Sequence, residues 1–327
     1  MVKPIISVVI PTHNRRNLLC KTIDCLCKQD IDTSDFEIIL VDDASTDRTR
    51  ETIEAIKKTV RIKYIYNDAN RGRAISRNLG IKAALGEYIL MLDDDIWAST
   101  SLVSSHLENH KREKGKIAVL GAIRASDKIP KTLVNLYLNN HHEWCYHQMI
   151  EKSEDLPSNF CKTANISIKR STIKKIGLFN EGFRYYGGED TELGCRMRTY
   201  GIRMVFNEKA LGYHFHNENI ETLTLKYREY AKSMIYIAML QPHYVESQYN
   251  GFFTPYYHKE ENARFIIYNK FKSILFNNLS TMCLRILLQM INGLNILRSQ
   301  VTNLLLSLYR IQVLYITLKE IGHANRN

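Results

Sequence analysis

The chain has 327 residues, 45 basic and 34 acidic side chains, a formal charge of +11, and 45% hydrophobic residues. That length suits one core of about 200–250 residues plus an appendage, and the composition excludes a disordered chain except over residues 323–327. The basic residues are dispersed without a run of five, which excludes a nucleic-acid partner and points to a phosphate-bearing substrate or an anionic surface.

Seven cysteines show neither a CxxC pair nor a zinc pattern. No secretory leader precedes the first apolar run, and no 18 residues are continuously apolar and uncharged. The expected setting is therefore a reducing cytoplasm, with at most a peripheral position at the inner face of the membrane.

In chain order, residues 5–10 form a short β-branched apolar run, a buried strand ended by Pro11. Leu18, Leu19, Ile23 and Leu26 repeat at helical spacing over 15–29. A second strand covers 36–41 and ends at Asp42 and Asp43. Ser45 or Thr46 is expected to cap a helix reaching about residue 58, with Asp47 near its positive end. A strand at 61–66, a helix at 73–84 and a strand at 88–92 follow. The last ends in Asp93, Asp94 and Asp95. A helix at about 101–114 and a strand at 116–123 continue the alternation. This is the pattern of an α/β, Rossmann-like, mostly parallel sheet flanked by helices.

Ligands of open α/β sheets bind outside the carboxyl ends of the strands. Three polar clusters fall at such ends: Pro11-Thr12-His13-Asn14, Asp42-Asp43 and Asp93-Asp94-Asp95. One crevice lined by residues distant in sequence is expected. The pattern breaks down over 126–157, where His141, His142, Trp144, Tyr146 and His147 crowd together. This reads as an irregular or helical insertion over the site. A strand at 163–169, a helix after Gly187-Gly188-Glu189-Asp190 and strands near 203–206 and 210–214 complete the region.

Three consecutive aspartates repel one another, and burial at a sheet edge aggravates it. A divalent ion such as Mg²⁺ or Mn²⁺ relieves that repulsion, because it takes hard oxygen ligands from carboxylates and substrate phosphates. In an extended segment Asp93 and Asp95 project to the same side. The competing reading is a solvated helix cap. Taken alone, Asp42-Asp43 reads first as loop and capping residues before the helix; a functional Asp there would accept hydrogen bonds from a nucleobase.

Taken together, SVVIPTHNR at 7–15, VDDASTD at 41–47, NRG at 70–72 with AISRNLG at 74–80, LDDD at 92–95 and GGEDTEL at 187–193 resemble glycosyltransferase family 2 with the GT-A fold. The resemblance covers about residues 5–216. It implies an inverting enzyme that moves a hexose or N-acetylhexosamine from a UDP-sugar to a hydroxyl acceptor, expected in bacterial surface glycan synthesis. Pro11, Thr12 and Asn14 would frame the base and ribose, Asp43 would bind the uracil-type ring, and Arg77 would approach the nucleotide. Asp93, with Asp94 beside it, would lie on the donor side, and Asp95 would bind Mn²⁺ or Mg²⁺. His214, rather than His216, would complete the metal site. Asp190 would be the catalytic base, with Glu189 and Gly188 positioning it or the acceptor. The acceptor would be a glycan, a lipid-linked sugar or a protein.

The resemblance divides the chain into a catalytic domain at 1–216 (a nucleotide-sugar half to about 123, an acceptor half from 124) and a helical region at 217–327. Residues 98–101 lack the proline that leads the next helix in the family. No QxxRW motif occurs, which argues against a processive synthase embedded in the membrane. In the C-terminal region, Leu279, Met282, Ile286, Met290, Leu294, Leu297, Val301, Leu304, Leu308 and Ile311 recur in steps of three and four. Between 271 and 320, Lys272, Arg285, Arg298, Arg310 and Lys319 face a single acid, Glu320. Amphipathic helices are expected. They would pack on the catalytic domain or a second subunit, or lie on an anionic membrane. Two other functions fit less well. A nucleotidyltransferase would want a glycine-rich phosphate loop, which 11–16 lacks, and a non-catalytic nucleotide-sugar binder or scaffold would have no need of costly acids at 93, 95 and 190.

Overall fold

The computed structural model describes residues 3–56, 61–244, 277–294 and 300–324. They divide into two compact units. The first comprises Met1–Ile129, His141–Arg184 and Glu189–His216, and the second Pro130–Asn140, Tyr185–Gly188 and Asn217–Asn327.

The first unit is built on β1 (Ile6–Thr12), α1 (Arg16–Leu26), β2 (Phe36–Asp42), α2 (Thr49–Ile56), β3 (Ile62–Tyr66), α3 (Arg73–Ala83), β4 (Tyr88–Leu92), β5 (Ile96–Ala98), α4 (Leu102–Arg112) and β6 (Ile117–Ala125). The helix α5 (Leu133–Glu151) follows, then β7 (Asn165–Lys169), α6 (Arg170–Lys175), α7 (Glu189–Thr199) and β8 (Arg203–His214). The strand order is β3-β2-β1-β4-β7-β6-β8-β5. The pairs β3–β2, β2–β1, β1–β4 and β6–β8 are parallel. The pairs β4–β7, β7–β6 and β8–β5 are antiparallel. The sheet is thus more mixed than the alternating pattern suggests, because β7 inserts between two strands that precede it in the chain.

Alternation along the central strands makes two apolar layers. Val9, Ile39, Val41 and Met91 face one cluster, which includes Ala74, Ile81 and Leu193 from the helices. Val8, Ile10, Ile38, Leu40, Leu90 and Leu92 face the other, with Leu19, Ile23 and Leu102. Pro11 is tolerated in a central strand because the β1–β4 ladder ends at Val9↔Met91, so its missing N–H costs no rung there. Thr12 pairs with Asp42 in register, which puts the polar ends of β1 and β2 at one edge.

Several elements differ from expectation. Ser45 and Thr46 do not cap α2. Ala44 and Arg48 hold left-handed φ values of 65° and 63°, which delays the helix to Thr49. The three-residue β5 is too short to show periodicity. The two strands expected at 203–206 and 210–214 are one strand, β8, whose pairing with β6 shifts between Gly121 and Ile123.

The second unit contains α8 (Ile220–Leu240), α9 (Asn278–Leu294) and α10 (Gln300–Ala324). Asn219 and Thr222 close a reciprocal capping box at the start of α8. Ile220, Leu223, Leu288, Ile291, Leu306, Tyr309 and Val313 form its core with Leu133, Val134 and Tyr137. The amphipathic row expected from the sequence is largely the opposite face: Leu279, Met282, Ile286, Met290, Leu304 and Leu308 are exposed. Both faces carry apolar residues, so spacing alone cannot choose between them. Lys272, Leu297 and Arg298 lie outside the described residues, as do 57–60 and 325–327. No helix among the described residues is long and apolar enough to cross a membrane.

Candidate active site

At the carboxyl ends of β1 and β2, Asp43 organises a loop. Its Oδ1 accepts from Asn67 Nδ2 at 2.8 Å and from the Arg71 amide at 2.9 Å, and its Oδ2 accepts from the Gly72 amide at 2.7 Å. Gly72, at φ 85°, makes the turn that aims the last amide. Asp42 is fully buried and accepts from Tyr64 Oη at 2.6 Å and the Ser45 amide at 2.8 Å. Asn14, at φ 53°, accepts the Thr46 amide at 2.7 Å and donates its own amide to Ser45 Oγ at 2.9 Å. His13 Nδ1 donates to the Asp43 carbonyl at 2.7 Å, which leaves Nε2 to accept from Asn14 Nδ2 at 3.1 Å. Pro11 is half-buried at the end of β1.

The aspartates at 93–95 do not continue the strand. Asp94 and Asp95 occupy a turn between β4 and β5. It is these two, rather than Asp93 and Asp95, that share a partner: Arg15 Nη1 donates to Asp94 Oδ1 at 2.8 Å and to Asp95 Oδ2 at 2.7 Å. Thr12 Oγ1 donates to Asp94 Oδ2 at 2.7 Å, so its hydroxyl is committed inside the site wall. Burial, opposed by Arg15 and reinforced by Asp95, raises the Asp94 carboxyl to about 6. Burial works against ionisation of Asp95 as well, but His214 and then Arg15 outweigh it and hold that carboxyl well below the usual range.

The pairing of β5 with β8 places Ile96 opposite His214, and His214 Nε2 lies 3.4 Å from Asp95 Oδ2. Burial disfavours a charge on His214, and Asp95 more than offsets this. His214 Nδ1 and Asp95 Oδ1 are buried and have no hydrogen-bond partner. A carboxylate oxygen and an imidazole nitrogen left unsatisfied on two neighbouring side chains are donors of the kind a divalent ion takes. His142 and His216 stand beside them, with ring centroids 5.2 and 5.6 Å apart from His142 to His214 and His216. Burial and the neighbouring imidazoles push His142 well below the ordinary histidine range.

Arg77 is 2% exposed and joins the two remaining carboxylate groups. Its Nη2 donates to Asp93 Oδ1 at 2.8 Å and its Nη1 to Glu189 Oε1 at 3.0 Å, with Asp190 Oδ1 at 3.6 Å. Glu189 is almost fully buried, and burial raises its carboxyl above the usual range. Asp190 is more open, at 25% side-chain exposure, in the first turn of α7. Thr163 Oγ1 donates to its Oδ1 at 2.5 Å and the Thr163 amide to its Oδ2 at 3.3 Å. Gly187 and Gly188 take left-handed φ values of 76° and 95°, which glycine adopts without strain.

Asp93, Arg77, Glu189 and Asp190 thus form one group, and Thr12, Asp94, Asp95 and His214 another. Asp43 and Asn14 organise loops at the adjacent strand ends. Arg15, Thr163 and His142 carry partnerships the sequence motifs did not assign. Arg15 and His142 sat inside segments already singled out, whereas Thr163 had no local signal. A surface hollow of about 670 Å³, lined by residues that include Asn109, Arg112, Glu154, Phe206 and Lys209, contains none of these carboxylates or histidines.

Residues 7–177 match glycosyl transferase family 2, and residues 146–219 match the N-terminal domain of galactosyltransferase. The chain belongs to glycosyl transferase family 2. It is 29% identical over 260 residues to validoxylamine A glucosyltransferase of Streptomyces hygroscopicus subsp. jinggangensis, covering 68% of this chain and 59% of that protein. It is 27% identical over 238 residues to a chondroitin synthase of Escherichia coli, covering 64% and 34%. The chain therefore spans between about a third and three-fifths of the length of these relatives. Among solved structures, the mannosyltransferase PcManGT of Pyrobaculum calidifontis, in complex with GDP-Man and Mn²⁺, superposes with a TM-score of 0.63 at 15% identity, covering 99% of this chain and 88% of that one. Residues 1–349 of S. aureus TarS, in complex with UDP-GlcNAc, give 0.51 at 19% identity, covering 94% and 90%. The fold is GT-A.

Proposed function

We propose that this chain transfers a hexose or N-acetylhexosamine, with inversion, from a UDP-sugar to a hydroxyl of a glycan, lipid-linked or protein acceptor during bacterial surface glycan synthesis. The observation that carries this reading is the single buried guanidinium of Arg77, which reaches both Asp93 at the end of β4 and the Glu189-Asp190 pair at the start of α7. A donor-side carboxylate and a candidate base are thereby fixed in one frame. Names among the relatives support a sugar donor, and UDP-GlcNAc or GDP-Man in the solved neighbours supports a nucleotide-linked one.

Asp190 takes the acceptor proton. Thr163 engages Oδ1 closely and orients the carboxylate, so Oδ2, held only by the longer amide contact, receives the proton as the hydroxyl attacks the anomeric carbon. Asp95 and His214 would hold Mn²⁺ or Mg²⁺, which supplies charge neutralisation for the departing diphosphate. Asp43 orders the loop at 67–72 toward the nucleotide. The sequence pattern of seven cysteines without a disulfide framework is the support for a reducing cytoplasm.

The test is a panel of UDP-, GDP- and dTDP-sugars assayed with Mn²⁺ for nucleotide release and thermal stabilisation. A UDP-sugar should release UDP and raise Tm with the logarithm of its concentration. Release or stabilisation confined to GDP- or dTDP-sugars would replace the donor assignment, and neither with any donor would contradict transfer.

A further inference from the structure

We propose that His142, His214 and His216, with Asp95 beside them, form a nitrogen-rich metal site that takes a transition-metal ion without nucleotide and discriminates against Mg²⁺. One ligand nitrogen from each imidazole lies within 4.8 Å of those of the other two. Around a shared ion with metal–nitrogen bonds of about 2.1 Å, those separations close to roughly 3.0–3.5 Å, a rotamer-scale adjustment. The ring centroids of His214 and His216 are 5.0 Å apart, so all three rings already converge.

The chain produces this convergence in a simple way. His214 and His216 flank Phe215, and alternate residues of extended backbone project to one side. The Phe215 amide donates to the Asp95 carbonyl at 3.0 Å, and its ring stacks on Trp97 with centroids 5.1 Å apart. Those contacts pin the segment against the aspartate turn. His142 approaches from α5.

Ordinary core packing is the competing explanation, and the same molecule shows what that looks like. His106 is fully buried with both nitrogens satisfied, by Asn165 Oδ1 at 2.9 Å and Ser167 Oγ at 2.9 Å. At the candidate site, by contrast, His214 Nδ1 and Asp95 Oδ1 are buried without hydrogen bonds. Structural polar groups are rarely left so. The donor set also fixes the kind of ion. Imidazoles suit zinc, iron, cobalt and nickel, and affinity rises through the first-row series, whereas Mg²⁺ demands oxygen and keeps its waters. Three protein nitrogens would hold the ion before substrate arrives, where a carboxylate pair alone would need the diphosphate to complete the shell. The proposal rests on the transferase reading for the use of the ion but not for its binding.

The test uses the full chain, stripped with a chelator and titrated with Co²⁺ in the absence of nucleotide. One equivalent should bind and develop visible d–d absorption, and a hundredfold excess of Mg²⁺ should leave the spectrum unchanged. H142A should weaken Co²⁺ at least tenfold, while H147A on the same helix should not. Should H142A fail to fold, pulsed EPR of wild-type protein loaded with Cu²⁺ counts the coordinated imidazoles directly, with more than one expected. Equal Co²⁺ affinity in H142A, displacement by equimolar Mg²⁺, or a single imidazole would overturn the proposal. If that happened while UDP-sugar turnover persisted, the transferase reading would stand alone. Multi-histidine binding without turnover of any nucleotide-sugar would support this site and remove that reading.

Discussion

Arg77 and Glu189 form an ion pair 3.0 Å long in which neither side chain is more than 2% exposed. A helix residue from the first half of the chain is thereby locked to the first residue of α7. The same guanidinium reaches Asp93, so the pair is the hinge point of the proposed site. Leaving one member of such a buried pair uncompensated typically costs ~3–5 kcal/mol. Arg77→Met should therefore lower unfolding free energy by about that amount and abolish sugar transfer. Arg77→Lys, which cannot reach two carboxylates at once, should fold better and still lose most of kcat. Chemical denaturation alongside turnover checks both. Full activity in Arg77→Lys would contradict the shared-clamp role.

Asp43 accepts three hydrogen bonds from the loop at 67–72. Asp43→Asn turns one acceptor oxygen into a donor facing an amide or amino group. The expected cost is about 1–3 kcal/mol, together with weaker UDP binding as the loop loosens. Calorimetry with UDP and a denaturation curve measure the two effects. A variant as stable as wild type but unable to bind UDP would show that Asp43 serves the base alone.

Gly121 lies where β6 shifts register against β8, and a Cβ there would meet Asn165 Nδ2 at 2.2 Å and the Ala210 carbonyl at 2.3 Å. Asn165 is itself bonded to Ala122 O and Ala210 O. Gly121→Ala should destabilise by roughly 1–3 kcal/mol, read as a lower Tm. An unchanged Tm would mean that this junction is looser than the packing indicates.

Burial lowers His106 to about 4 and His110 to about 3. Their hydrogen bonds are consistent with neutral rings: His106 Nε2 donates to Asn165, Ser167 donates to His106 Nδ1, and His110 Nε2 donates to Ser167. Unfolded histidines titrate near 6.5, so between pH 6.5 and 4 the unfolded chain binds more protons. Stability from these groups is present above about pH 6.5 and is lost as pH falls toward 4, by on the order of a few kcal/mol. His110→Phe keeps an aromatic ring against Tyr88 and removes one of the two groups. Its denaturation free energy should fall less steeply with acid than that of wild type. Parallel profiles would contradict the assignment.

Continuous apolar runs made β1, β2 and β4 legible, because strands buried in a parallel sheet are apolar throughout. Of the antiparallel strands, β7 was legible as a strand at 163–169 but not in its direction, and β5 was not legible at all. A strand's direction depends on where the chain re-enters the sheet, and Ile96, Trp97 and Ala98 are too few to repeat. The motifs drew attention to Asp43, Asp95, Asp190 and His214, but not to the partners the fold gives them. Arg77 reads only as approaching the nucleotide, since no local pattern reports that Asp93, 16 residues on, and Glu189, 112 residues on, converge on it. On α9 the helix was legible but its buried face was not: Met282, Ile286 and Met290 keep helical spacing as faithfully as the buried Leu288 and Ile291.

The transferase reading stands or falls on Asp190. The measurement is turnover of a UDP-sugar by Asp190→Asn beside calorimetric titration of UDP with Mn²⁺. Asparagine keeps the shape and can still accept from Thr163, but it cannot take a proton. The expected result is a loss of kcat of at least a thousandfold with UDP affinity within a few-fold of wild type. Near-normal turnover, or lost UDP binding, would contradict Asp190 as the base.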